Sequence, residues 1–307
     1  MNLTQLQSLP KDRVRALFGL EPAALGELLA AALPLMVKKR HAQQGAKKNR
    51  QRAVGGGRRR KLLPYQEVLI TLVYLRHNVS HAVCGAMFGV SADISENRFH
   101  EVILLLRDVC PADRWNAEKK WTKKEPSWHP DTLDLILVDS FETPVGRSSL
   151  PDVQRKFYSG KKKRHTTKTQ IITKTQIITN KQGEVLAIEP GHPGPLSDKK
   201  LYEQSAAAGQ YPQAARRADL AYQGVPEMFL PHKKGRGKAG QKAPALTPEQ
   251  KEENRHAARA RVPVEHGVRR VKAWRILRDE YRLAQGLFPL IALATVGLVH
   301  LSRVVPG

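Results

Sequence analysis

Cysteine is scarce. Two occur in 307 residues, Cys84 and Cys110, too few for a disulfide scaffold and in keeping with a reducing compartment. The opening MNLTQLQSLPKDR lacks the basic-then-apolar order of a signal peptide. No Walker loop or dinucleotide fingerprint is present, so neither ATP nor NAD is implied. The chain has one long apolar run, Leu287 to Val305, and Pro289, Gly297 and His300 interrupt it. We expect it to form a buried core helix rather than a membrane span, because helices apolar on every side also occur inside large domains.

Acidic residues are also under-represented. Against 52 Lys+Arg stand 28 Asp+Glu, a formal charge of +24 at pH 7. An apolar fraction of 41% excludes a disordered polycation, so the excess belongs to a folded surface. A polyanion is its natural partner, because neutralising phosphates releases counterions and drives association. Charge names that class of partner and leaves the chemistry open: an RNA binder would share the property, and an anionic membrane surface is a weaker candidate.

Apolar spacing changes along the chain. Val14, Leu17, Phe18, Leu25, Leu28 and Leu29 predict helices within residues 1 to 36, bounded by Pro22 and Pro34. Val37 to Lys61 reads as a basic, glycine-containing arm without apolar period, and Arg58, Arg59 and Arg60 in it suit phosphate contact. Three helices are predicted next: Tyr65–Arg76, Ser80–Phe88 and about Ala92–Arg107. A turn at Gly89-Val90-Ser91 separates the last two, and Arg98 lies on the exposed side of the third. That arrangement suits a helix-turn-helix, whose last helix enters the major groove; any small helical bundle has similar spacing. Trp115 to Pro130 reads as a linker. Beyond it come a continuous apolar strand, Leu133–Ser140, and a hairpin of His165–Thr179 and Glu184–Glu189 turning at Asn180–Gly183. Helical segments are expected at about 198–209 and 248–304, the latter opened by Thr247-Pro248-Glu249-Gln250.

KTQIIT occurs twice in tandem, at Lys168–Thr173 and Lys174–Thr179. An even insertion preserves side-chain alternation but lengthens a strand by roughly 20 Å, so the extra copy must protrude, bulge or loop out. It reads as an in-frame duplication, with a naturally long hairpin as the alternative.

Metal-assisted phosphoryl transfer requires carboxylates that converge from different elements. Asp139 closes the apolar strand, Asp219 lies in RRADLAYQG, and Glu265 lies in RARVPVEHGVRRVKAW with Arg269 and Lys272 at helical spacing from it. Each also has a purely structural use. Asp139 can cap the following turn, Asp219 can cap a helix or pair with Arg216 or Arg217, and Glu265 can pair with Arg269. His77, His81 and Cys84 are spaced as zinc ligands on a helix but lack a fourth. Trp274 reads as packing.

The succession VDSFETPV, SGKKKRHTTKTQ, PGHPGPLSDKKLYEQ, ADLAYQG and ARVPVEHGVRRVKAWRIL resembles the DDE transposases of bacterial insertion sequences and the related Harbinger-like family, over roughly residues 60 to 305. The resemblance implies an α/β fold: an RNase H-like mixed β-sheet catalytic domain at 131–305, behind a helix-turn-helix domain at 62–114 and an N-terminal helical segment and basic arm at 1–61. It also implies that Asp139, Asp219 and Glu265 hold two Mg²⁺ ions, with Mn²⁺ able to substitute. Asp198 becomes a supporting group or alternative ligand. Arg261 and Lys272 match the basic positions of the Y-x2-R-x3-E-x6-K signature; Ala258 stands in place of its tyrosine, and Ala221 where glycine is usual. With Arg269, His165, Lys162, Lys163, Arg98 and Arg58–Arg60, they would contact double-stranded DNA, both terminal inverted repeats and target. A homodimer on DNA, a cytoplasmic, nucleoid-associated location and no membrane partner are expected. The rival reading is a decayed transposase that only binds DNA.

Overall fold

The computed structural model describes residues 3–46, 59–176, 180–235 and 245–305. Seven helices lead the chain: α1 (Leu3–Gln7), α2 (Lys11–Phe18), α3 (Pro22–Gly45), α4 (Pro64–His77), α5 (His81–Phe88), α6 (Ala92–Val109) and α7 (Arg114–Thr122). Then come β1 (Leu135–Pro144), α8 (Pro151–Phe157), β2 (Tyr158–Ser159), β3 (Arg164–Gln176), β4 (Asn180–Pro193), α9 (Asp198–Glu203), β5 (Ala215–Arg217), β6 (Met228–Phe229), α10 (Pro248–Lys272) and α11 (Phe288–Val304).

The helix-turn-helix forms where expected, and local signals explain it. Ser80 caps α5 by accepting from the Val83 amide, and Ser91 caps α6 by accepting from Ile94. Gly89 ends α5 at φ +70°, a conformation that glycine enters without steric cost. Inside α5, a Cβ on Gly85 would lie 2.5 Å from the Val90 carbonyl oxygen, so the two helices close on each other only because that position is glycine.

Three expectations for the helical half are corrected. Helix α3 runs through Pro34 and takes in Val37–Gly45, the first part of the supposed arm. It gives up the bond to the Ala30 carbonyl that a proline cannot make. Burial of Leu25, Leu28, Ala32 and Met36 along one side offsets that loss. The remainder of the arm up to Arg58 lies outside the described residues. The supposed linker contains α7, which is polar on most positions yet buries Arg114, Ala117 and Trp121. The helical stretch at 248–304 is two helices, α10 and α11, with only short 3-10 turns between them.

The sheet runs β4-β3-β1-β5-β6, with short β2 beside the start of β3. Antiparallel pairing joins β4, β3 and β1, whereas β5 and β6 continue in parallel from β1. This is the mixed RNase H-like sheet. Ile136, Val138, Ile172 and Leu186 pack on one face with Tyr202, Tyr211 and Tyr222. Leu137, Phe141, Ile171, Val185 and Ile188 face the other way, into a cluster shared with α11 and with the helical half. A strand buried on both faces needs a continuous apolar run, which LILV supplies.

Two strand expectations change. Strand β1 does not stop at Ser140: antiparallel pairing to β3 carries it to Pro144, opposite Thr166, so Asp139 lies within the strand. Residues Asn180–Gly183 are not a turn but the start of β4, with Asn180 opposite Gln176. The first KTQIIT copy is woven into the sheet, from Lys168 opposite Glu142 to Thr173 opposite Leu137. The second begins at Lys174 opposite Ile136, and the β3–β4 register breaks between Lys174 and Gln176. Residues 177–179 lie outside the described residues.

The stretch Gln285–Val304 is long and apolar enough to cross a membrane, but α11 within it is packed here as a core helix that buries Ile291, Ala292, Val296, Leu298 and Leu301. His300 bonds the Ala112 carbonyl at 3.0 Å. At Gly297 a Cβ would fall 2.2 Å from the Cys110 carbonyl oxygen. Gly297→Ala must therefore force α11 off α6. We expect a loss of about 1–3 kcal/mol in denaturant unfolding, and an unchanged midpoint would refute this packing.

Candidate active site

Pairing of β5 with β1 covers only Leu135 to Leu137. Two residues further on, where that side of β1 is open, stands Asp139. It is on the face of Leu137 and Phe141, toward α10; Ser140 takes the opposite face, toward α9. Asp139 Oδ1 accepts from the Ser140 amide at 2.8 Å, and Oδ2 lies 3.9 Å from Arg261 Nη2. Asp219 follows β5 and caps the turn Leu220–Tyr222. Its Oδ1 accepts from the Ala221 amide at 2.8 Å, and its Oδ2 also lies 3.9 Å from Arg261 Nη2. Asp219 thus caps a helical turn as foreseen, whereas Asp139, inside β1, caps no turn and takes the amide of the next strand residue instead. These bonds occupy one oxygen of each aspartate and leave the other directed at a shared guanidinium.

Asp198, the first residue of α9, accepts from Ser140 Oγ and from Lys168 Nζ at 3.1 Å. Glu265 projects from α10, is exposed, and makes no hydrogen bond or ion pair among the described residues; the pair with Arg269 does not form. Asp139, Asp198, Asp219 and Glu265 nonetheless line a single cleft of about 610 Å³, whose walls include Lys162, Lys168, Arg269 and Lys272.

Burial pushes the Asp139 carboxyl up to about 6; the Ser140 amide and Arg261 pull it down, while Asp219 and Asp198 push it further up. Burial likewise lowers Lys272, and repulsion from Lys162 adds to this against the attraction of Glu142 and Asp139. Lys272 Nζ sits 5.0 Å from the centre of the Phe141 ring.

Hard carboxylate oxygens gathered in one cleft are the donor chemistry that Mg²⁺ or Mn²⁺ takes. Asp139 and Asp219 fit such an ion as a pair that shares one cation. Among the described residues no three His, Cys, Asp or Glu side chains are gathered closely enough to ligate one ion. Glu265 lines the cleft without closing on the aspartates.

The remaining sequence candidates are dispersed. Arg98 and Arg60 pair with Glu101 at 2.7 and 3.1 Å, and Arg60 and Arg40 also reach the buried Glu67 of α4. Arg59 is exposed, and Arg58 lies outside the described residues. Lys163 takes φ +51° in the loop before β3, and His165 packs edge-on to Tyr158. His77 bonds the Leu17 carbonyl, His81 bonds Ser95 and stacks on Tyr74, and Cys84 is buried. Trp274 is 2% exposed, as expected of packing. Sequence reasoning overlooked Lys168, the cation that holds Asp198. Its signal was a lysine inside a strand flanked on both sides, where an unpaired charge would be costly.

Residues 138–300, more than half of the chain, match the family described as DDE superfamily endonuclease, and the chain belongs to it. Residues 60–111 match the helix-turn-helix of DDE superfamily endonuclease. Among similar proteins is one named as a transposase for insertion sequence element IS702 from Microchaete diplosiphon, 29% identical over 245 residues, 78% of this chain and 81% of that protein. A second, named as a transposase for insertion sequence element IS112 from Streptomyces albus G, is 25% identical over 221 residues, 71% of this chain and 72% of that one. No solved structure matches.

A carboxyl held at about 6 in the fold, against an ordinary value of 3.8, costs stability increasingly as pH rises from 3.8 to about 6 and carries the full cost above that. At pH 8 without metal, Asp139→Asn is expected to stabilise the protein by about 1–3 kcal/mol. Mg²⁺ should raise the melting temperature of the wild type and leave the variant unmoved. A variant less stable than wild type at pH 8 would contradict the buried-carboxylate account.

Proposed function

We propose that this chain is the transposase of a bacterial insertion sequence, which binds the ends of its element and carries out metal-dependent strand cleavage and strand transfer. The observation that carries the reading is the placement of Asp139, Asp219 and Glu265, from three separate elements, in one cleft walled by lysines and arginine.

Asp139 and Asp219 would hold Mg²⁺, or Mn²⁺ in its place, with Glu265 as the third donor. Two bound ions supply Lewis acidity to the attacking water or 3′-hydroxyl and to the leaving oxygen. Ser140 and Lys168 keep Asp198 in place beside them. Lys162, Arg269 and Lys272 receive the phosphates on either side of the scissile bond, and their charges oppose repulsion between DNA and the acid cluster. Arg261 moves from between the aspartates to a phosphate. Helix α6 enters the major groove of the terminal repeat, and phosphate contacts from Arg59 and Arg60 set its register. In this division of labour residues 62–114 read DNA and residues 131–305 cut it. Two element ends must meet for transfer, so a homodimer on nucleoid DNA in the cytoplasm is the working form.

The test is Mg²⁺-dependent cleavage of the element's terminal DNA by wild type, Asp139→Ala, Asp219→Ala and Glu265→Ala. Each substitution is expected to lower cleavage at least about 1,000-fold while leaving DNA binding intact. Removing residues 174–179, which yields the same chain as removing 168–173, shortens the end of the hairpin and keeps the strand faces unchanged; its cleavage should match wild type. Binding of the ends by both forms without any cleavage would instead favour a DNA-binding protein that has lost its chemistry.

A further inference from the structure

A second basic groove lies away from the acid cleft. It has a volume of about 590 Å³, and its lining includes Lys11, Arg15, Arg76, Arg270, Arg303 and Trp274. Among the lining residues are five cations and one carboxylate, Glu21, which pairs with Arg15 at 3.3 Å. Four helices build it: α2, the end of α4, the end of α10 and the last turns of α11. On α10 it uses a different side from the acid cleft, because five residues at ~100° each turn Arg270 about 140° from Glu265.

The groove is constructed, not a chance meeting of flexible side chains. Gly19, at φ +75°, lets α2 end against Trp274, where a Cβ would be 2.8 Å from the ring. The Arg76 guanidinium lies 5.9 Å from the Trp274 ring centre and donates to the Ala273 carbonyl at 2.8 Å, so it is fixed at the floor. Lys11 and Arg15 stand one helical turn apart on the exposed side of α2, and Arg303 is exposed on the facing wall. The cations crowd one another. Burial lowers Arg76, and repulsion from Arg15 and Arg278 adds to it; burial lowers Arg270, and Arg303 adds to it against the attraction of Glu184. Arginines do not relieve such crowding by losing protons, whereas a bound polyanion does.

We propose that this groove is a second DNA site, holding the phosphodiester backbone of a duplex without reading its sequence. The proposal rests on the transposase reading for the choice of DNA over other polyanions. Without base-edge contacts, binding here should be steeply salt-dependent and indifferent to sequence.

The experiment compares the full-length wild type with Lys11→Gln/Arg15→Gln/Arg303→Gln. All three positions are exposed, so the fold should survive, and the melting temperature checks it. Affinity for a random-sequence duplex and for the element's terminal duplex is measured by fluorescence anisotropy over a range of salt. Each lost phosphate contact removes about 0.9 from the slope of log K against log salt, so the variant should be shallower by about 2–3 on both duplexes. Its affinity at low salt should fall about 10- to 100-fold. As an independent arm, Ser302→Cys places a thiol in the groove, and Cys84 and Cys110 are both buried, so a thiol-reactive duplex should couple to this variant and not to wild type. Equal slopes for variant and wild type, or no coupling at Ser302→Cys, overturns the proposal. A loss seen with single-stranded RNA or anionic phospholipid vesicles but not with duplex overturns the choice of DNA. Failure of the wild type to bind any duplex would instead sink the transposase reading itself.

Discussion

The bridge that Arg261 makes between Asp139 and Asp219 organises the cleft. One aspartate comes from within β1 and the other from the end of β5, and each lies 3.9 Å from the same nitrogen of Arg261. Burial pushes the Asp139 carboxyl up to about 6, and the Arg261 guanidinium works against that cost. The rest of the cleft follows from that bridge. Backbone amides of Ser140 and Ala221 take the second oxygen of each aspartate and so fix its direction. Lys168 neutralises Asp198, keeping a third charge from adding fully to the crowding. A guanidinium suits the protein alone, because it is always charged and can leave for a phosphate when a harder cation enters.

That arrangement is stationed by the sheet and, through it, by the helical half. The short parallel pairing with β5 leaves β1 open beside Asp139, while β3 supports its other edge along the whole strand. Side chains beneath this region belong to one buried cluster running from α2 through α11 to Phe141 and Ile188. Arg114 of α7, buried and 3.6 Å from Glu184 of β4, ties the same halves by charge. The helix-turn-helix and the acid cleft thus rest on one core.

What was legible in the sequence is what local chemistry decides. Ser80, Ser91 and Gly89 announce the ends of α5 and α6, and Thr247 with Gln250 announces the start of α10 by a capping box. The three acids were legible as a set only through the order of their motifs, since residue by residue each admitted a local structural use. What was not legible depends on partners distant in the chain. Asp139 looked like a strand end because the apolar run stops there; β3 carries the strand past it. The polar face of α7 concealed Ala117 and Trp121, and Pro34 suggested a boundary that burial of Ala32 and Met36 overrides. The turn expected at Asn180–Gly183 is strand instead, because pairing of β3 with β4 reaches Gln176 opposite Asn180.

The central claim is that Asp139, Asp219 and Glu265 form a single divalent-cation site although Glu265 stands apart from the aspartates in the protein alone. Isothermal titration of Mn²⁺ into the full chain, with and without a terminal duplex, tests it most directly. Wild type should bind Mn²⁺, more tightly with DNA present, and Asp139→Ala and Glu265→Ala should each lose that DNA-enhanced binding. Undiminished Mn²⁺ binding in Glu265→Ala, with DNA present, would contradict the account.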